Sequence, residues 1–434
     1  MTAITAKHPY IEALLKGYQA PRDGAAWLTE RRAQALDRAN ALTVPTTRDE
    51  EWRFTDITHM MKSSFRPAAA AAHPSIADLS AFIAGEASLR LTFVDGIFAP
   101  ELSIIKGLPE GIVVAPLAAA LGAHGKQIEP HLARHVGFEN DVFAALNTAY
   151  LRDGAYVHVA KNQKCPAPVQ LLYVATQKDA AVYPRCLVVA ESGSECTVIE
   201  DYVSLVEGAY FNDAATEVVV GEGAQVRHVR LQREAAGAFH IANCAVVLAR
   251  EARYASQSVT FGARLSRLNL SVIQQGEGVE ASLDGLALIS ERQLADTHTL
   301  MDHQHAHGRC RQLHKCIVGG GAHAVFNGKI LVRPGAQLTD SAQQTRTLLL
   351  SDKARVDAKP QLEIFADDVK CAHGAAIGQL DPEHLFYLQS RGLSTQSARN
   401  LLTYAFAADV VDRIPVPSLV ARLEKAVLAQ TQSA

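Results

Sequence analysis

The sequence predicts a mainly β protein, a parallel β-helix core with α-helical segments at both ends. Three observations carry this. From about Arg152 to Ala375 short Val/Leu/Ile runs of strand length recur while helical periodicity disappears. Within that stretch a unit of apolar strand, tight polar turn, small residue and alternating strand returns in VVAESGSECTV, VVVGEGAQV, ILVRPGAQL and LLLSDKARV, ending at Val198, Val226, Leu338 and Val356. No such strand can bury both faces alone, but stacked copies share one narrow core, the physical basis of a solenoid. Aromatic residues make up only 6% of the chain, which suits aliphatic ladders better than a large sandwich core.

The units divide the 434 residues into a helical or mixed region at 1–150, a β-core at 151–378 and a helical domain at 379–434. In the first region, Leu28, Ala35, Leu36, Ala39 and Leu42 return at three- and four-residue steps opposite Glu30, Arg31, Arg32 and Arg38. This predicts an amphipathic helix over 25–42, ended by Pro45. A run of five alanines inside 66–75 predicts a connector. In the core, weaker copies of the unit sit at 249–255 and 275–281. The residue before each small residue then marks a turn at Gly193, Gly223, Glu277 or Gly278, Gly335 and Lys353, with irregular spacing. The four terminal residues of the named units, Val198, Val226, Leu338 and Val356, are expected to point inward. In the tail, Asp381-Pro382 and Ser394 are helix starts, Gly392 is a stop, and Pro415 and Pro417 precede a third helix. The second helix carries Leu401, Leu402, Ala405, Phe406 and Val410, and the small tail is expected to leave part of its apolar surface exposed.

Composition excludes several function classes. Lys plus Arg number 42 and Asp plus Glu 45, for a net charge of −3, so no field draws the chain to nucleic acid or anionic lipid. No apolar run approaches the ~20 residues of a membrane span. Met1 to Lys7 lack the apolar stretch of a secretory signal, and the seven cysteines contain no C-x-x-C pair. A cytoplasmic protein with free thiols is expected. Asn327-Gly328-Lys329-Ile330 lacks the earlier glycine and the hydroxyl residue of a phosphate loop, and no G-x-S-x-G elbow occurs.

Two clusters could hold a metal. His303, His305 and His307, with His298, His314 and His323 nearby, would share one face of a strand at intervals of about 6.7 Å. A cupin-type site also needs a Glu soon after its His-x-His pair, and none lies between Glu291 and Glu363. The second cluster is Asp367-Asp368-Val369-Lys370-Cys371-Ala372-His373-Gly374. If the strand beginning near Leu362 continues, Asp367, Val369, Cys371 and His373 share a face, placing a thiol beside an imidazole. Two ligands do not complete a site, and the others could come from another chain.

The segment from Val325 to Leu393, VFNGKILVRPGAQLTDSAQQTRTLLLSDKARVDAKPQLEIFADDVKCAHGAAIGQLDPEHLFYLQSRGL, closely resembles the core signature of the SufB/SufD family of iron-sulfur cluster assembly proteins. Pro45 to Thr55, PTTRDEEWRFT, resembles that family's amino-terminal motif, and His373-Gly374 resembles the SufD branch, where the SufB branch carries His-Glu. The resemblance implies a right-handed β-helix, pairing with a SufB-like paralogue through the β-core, and docking of a SufC-like ATPase through the C-terminal helices. It also implies that His373, with Cys371 beside it, helps to hold iron or a transient iron-sulfur cluster shared with the partner, and that the chain is a non-enzymatic scaffold with no tightly bound cofactor. A homodimer is possible in isolation. The rival from another class is a stand-alone metal-dependent β-helix or cupin-like enzyme using the segment His298 to His323.

Overall fold

The computed structural model describes residues 8–21, 25–68 and 73–432. The expectation for Met1 to Lys7, and most of the alanine run in the connector, lie outside them. The core is a parallel β-solenoid of about eight turns. The chain alternates between two sheets, so each strand pairs in parallel with the strand two places along the chain. One rung follows another through Phe211, Phe239, Leu265, Leu294, His323 and Arg355, each coil advancing 26 to 32 residues. Because side chains alternate along a strand, every second residue enters the interior, where Val198, Val226, Tyr254, Val246 and Val272 belong to one continuous apolar cluster.

The turns obey a more regular rule than glycine spacing suggests. Gly193, Gly223, Glu251, Gly278, His307 and Leu338 all have positive φ, between 56° and 70°, and follow one another at 27 to 31 residues. Each donates its N–H to a carbonyl of the next turn, for example Gly193 to Glu222 at 2.8 Å and Leu338 to Asp368 at 2.6 Å. Two expectations are corrected by this. Leu338 does not point inward: it holds the left-handed corner that glycine holds elsewhere and is 48% exposed. Gly335 is not the equivalent anchor, because it lies three residues earlier and its φ is not positive. Val198 and Val226 are fully buried, and Val356 is partly buried against the cluster of Ala322 and Ala324.

Helices close the outer faces. Ala26–Ala41 forms the expected amphipathic helix and buries Leu28, Ala35 and Ala39. Arg32, assigned to the polar side, is buried as well, because its Nε donates to the Leu151 carbonyl at 2.8 Å. This region packs on one sheet through Tyr10, Ile11, Phe143 and Phe211. It also contributes strands to the solenoid: Leu89–Val94 pairs in parallel with Val169–Ala175, and Ile112–Pro116 pairs antiparallel with Ala155–Val159. At the other end, helices Pro382–Ser390 and Thr395–Val411 start at the expected caps, Asp381 and Ser394, and a third, Pro417–Gln432, starts at Pro417, one residue before the expected Ser418. The second helix carries the expected apolar residues, split between a buried and an exposed side. It buries Ala407, Val410 and Val411 against Val229, Leu286 and Leu313 of the opposite sheet, and leaves Leu401 exposed.

Candidate metal centre at the open end of the solenoid

The last rung is Lys370–Gly378. The strand before it ends at Ile364, so Asp367 and Asp368 lie in a turn and do not share a strand face with Cys371 and His373, as the continuous-strand expectation required. Cys371 and His373 do stand on the same, inward face. Cys371 continues the column Cys196, Val226, Tyr254, Ala281, Cys310, Ser341, and His373 continues the column Val198, His228, Ser256, Leu283, Gln312, Gln343. Every earlier member of these columns is covered by a following coil. The last two are not: His373 is exposed and Cys371 is half-buried against Val332, Ala336 and Ala366. Burial raises the Cys371 thiol above its ordinary pKa, so in the isolated chain it is a protonated thiol rather than a ready thiolate.

The solenoid therefore ends with one soft and one borderline donor on an uncovered rung. Among the described residues, Lys370–Gly378 pairs only with Asp340–Leu349, and Arg355–Ile364 only with His323–Val332, leaving the outer edge of each without a partner strand. Ile364, Phe365 and Ile377 are exposed on the same end. Among the described residues, no group of three or more His, Cys, Asp or Glu side chains is placed to hold a metal ion.

The histidine-rich segment does not assemble. Its strand, Leu294–His303, stops at His303, so His305 and His307 leave it for the turn and the shared face does not exist. His303 is buried between Gln274 Oε1 at 2.7 Å and Ser341 Oγ at 3.3 Å, and burial pushes its pKa down to about 4. His314 is stacked on Phe326, ring centroids 4.4 Å apart, and burial likewise lowers it to about 4. His323 bonds Asp357 at 2.7 Å.

His298 has a role that its sequence neighbours conceal. Its Nδ1 lies 3.2 Å from Glu51 and its Nε2 3.0 Å from Asp296. Burial opposes protonation, but these carboxylates outweigh it and raise the His298 pKa. Asp296 also accepts from Thr55 at 2.5 Å and pairs with Arg267, whose guanidinium stacks 3.9 Å from the Trp52 ring centroid. The segment 50–55 is thus strapped across one sheet beside a cleft of about 630 Å³. Sequence reasoning missed this set; its one available signal was the two-residue step from Asp296 to His298, which places them on a common face.

Comparison with known proteins gives the family. The chain matches the SufBD core domain of the SUF iron-sulfur cluster assembly system over residues 173–406, and the SufBD N-terminal region over 16–171. The chain belongs to the SufBD family. Among curated SufBD proteins, it is 40% identical to an iron-sulfur cluster assembly SufBD family protein of Synechocystis, over 93% of this chain and 91% of that one. It is 32% identical to the iron-sulfur cluster assembly protein SufD of Escherichia coli, over 89% and 90%. The SufD protein of Bacillus subtilis matches at 28% over 97% of both chains. The SufBD match spans both the N-terminal motif that forms the strap and the rung that carries His373.

Proposed function

We propose that this SufBD protein is a scaffold subunit of the SUF machinery that pairs through the open end of its solenoid with a SufB-like paralogue and contributes His373 to the site where iron or a nascent iron-sulfur cluster is held. The observation that carries this is His373 itself: an inward-column imidazole on the one rung with nothing stacked above it. A partner solenoid ending in the same way would continue both sheets by edge pairing, cover Phe365 and Ile377, and place its own donors opposite His373. The two donors of this chain are then half of a shared set, with imidazole suited to iron and Cys371 an auxiliary thiol that must lose its proton on binding.

The C-terminal domain is the proposed dock for a SufC-like ATPase. Phe386 and Tyr387, on the first tail helix, are 72% and 56% exposed, and Leu401 on the next is 45% exposed. That is apolar surface the small domain does not use internally. ATP hydrolysis belongs to the partner, and this chain acts by position.

The deciding experiment is His373→Ala in the complex co-purified with its SufB-like and SufC-like partners. Loss of an exposed ligand leaves packing intact, so the variant is expected to melt and assemble normally but to lose most of its cluster absorbance. Cys371→Ala is expected to lose less, since a thiolate from the partner could take its place. A His373→Ala complex that loads cluster as well as the parent overturns the ligand role.

A further inference from the structure

Directly beneath His373 in its column stands Gln343, which pairs with it across the last two strands of the sheet. Gln343 is 2% exposed, yet neither its Oε1 nor its Nε2 has a hydrogen-bond partner. A buried primary amide with both ends unpaired is costly, so its place in the fold calls for a reason. Its position is also built in. Across the interior lies Gly328, where even a methyl group would overlap the Gln343 side-chain amide and the Phe326 ring. The rung below, Gln312, is satisfied at its own oxygen: its Oε1 accepts from Thr299 Oγ1 at 2.9 Å. The amides thus stack toward the open end with the top one unsatisfied.

Resting on the reading of His373 as an iron ligand, we propose that Gln343 is its positioning residue: Oε1 accepts an N–H from the His373 ring when the site is assembled. Gly328 leaves room for Nε2, which frees Oε1 for the rung above. A ring nitrogen that donates to a carbonyl keeps its proton, so the other nitrogen presents its lone pair to the metal. Outer partners of this kind fix the tautomer and ring orientation, and their loss typically costs 10- to 100-fold in metal affinity.

The test compares Gln343→Leu, Gln343→Glu and His373→Ala in the complex with the SufB-like partner, by ferrous iron titration and thermal melting. If Gln343 positions the ligand, Gln343→Leu melts close to the parent, because a buried amide whose Nε2 has no partner has been removed along with the bond to His373, yet binds ferrous iron 10- to 100-fold more weakly. Gln343→Glu, which keeps an acceptor, stays within about threefold of the parent. If His373→Ala abolishes binding while Gln343→Leu binds like the parent, this inference falls and the ligand role stands. If His373→Ala also binds like the parent, both fall. Should Gln343→Leu not assemble, Gln343→Glu decides alone through the nitrogen hyperfine coupling of the reduced cluster in pulsed EPR. A changed imidazole coupling is expected, and an identical one overturns the proposal.

Discussion

Arg185 and Glu217, on neighbouring solenoid strands, face each other at 2.6 Å with neither side chain exposed, and together they anchor the N-terminal region, Arg185 through Asn147 at 3.0 Å. The Glu217 carboxylate also accepts the backbone N–H groups of Ala133, Arg134, His135 and Val136 at 2.7 to 3.1 Å. Burial opposes its ionisation, but Arg185 and these donors hold its pKa below the ordinary value. Glu217→Ala strands a buried guanidinium and four N–H groups, so a loss of about 3 to 5 kcal/mol is expected in urea unfolding. A change under ~1 kcal/mol would show that the junction carries no such weight.

Acid should loosen the core through its neutral histidines. His303 and His314 have folded pKa values near 4 against 6.5 unfolded, so between those values the unfolded chain binds more protons. Their contribution is complete above pH 6.5 and is lost as pH falls toward 4, each by up to ~3 kcal/mol. Glu200, where burial raises but His228 at 2.9 Å and other partners lower the pKa to about 2, adds a loss only below pH 4.5. His303→Gln should flatten melting temperature against pH between 6.5 and 4. An unchanged slope would mean that His303 titrates normally.

Val226 and Leu338 end similar sequence units and should respond in opposite ways to substitution. Val226→Asp places a charge in the closed interior and should prevent folding. Leu338→Gly removes a side chain from a left-handed corner and should raise stability by up to ~1 kcal/mol. A soluble, normally melting Val226→Asp chain contradicts the interior column.

Tail docking is tested at the surface rather than by deletion alone. The pair Phe386→Asp and Leu401→Asp changes exposed positions only, so melting should shift by less than ~1 °C per site. Binding of the SufC-like ATPase, followed by calorimetry, should weaken at least tenfold. Undiminished affinity would move the dock elsewhere.

The legible parts of this molecule were those in which residue type and geometry agree. Gly193, Gly223 and Gly278 announced left-handed corners, and Asp381 and Ser394 announced helix starts, because few other residues serve there. His307 and Leu338 hold the same corner without the glycine signal, which hid the regular period and made the histidine run look like a strand. Cys371 and His373 were found by spacing, though in a shorter strand than expected. The strap of Glu51, Trp52, Arg267 and His298 joins residues more than 200 positions apart, and no local pattern records such a contact. Gln343 escaped for a related reason: its environment is set by Gly328 and His373 on other strands.

The bare final rung also bears on how the chain holds itself together in time. In a stack where each coil leans only on its neighbours, opening is easiest at an end that has one neighbour instead of two. The amino-terminal end is buttressed by added strands and helices, whereas 355–378 has support from below alone. Amide hydrogen exchange in the isolated chain should therefore progress as fraying that starts at this coil and stops where the tail helices clamp Leu313 and Ile317. A partner seated on the end would act as a cap, so the segment proposed to hold the cargo would become rigid only inside the assembled complex.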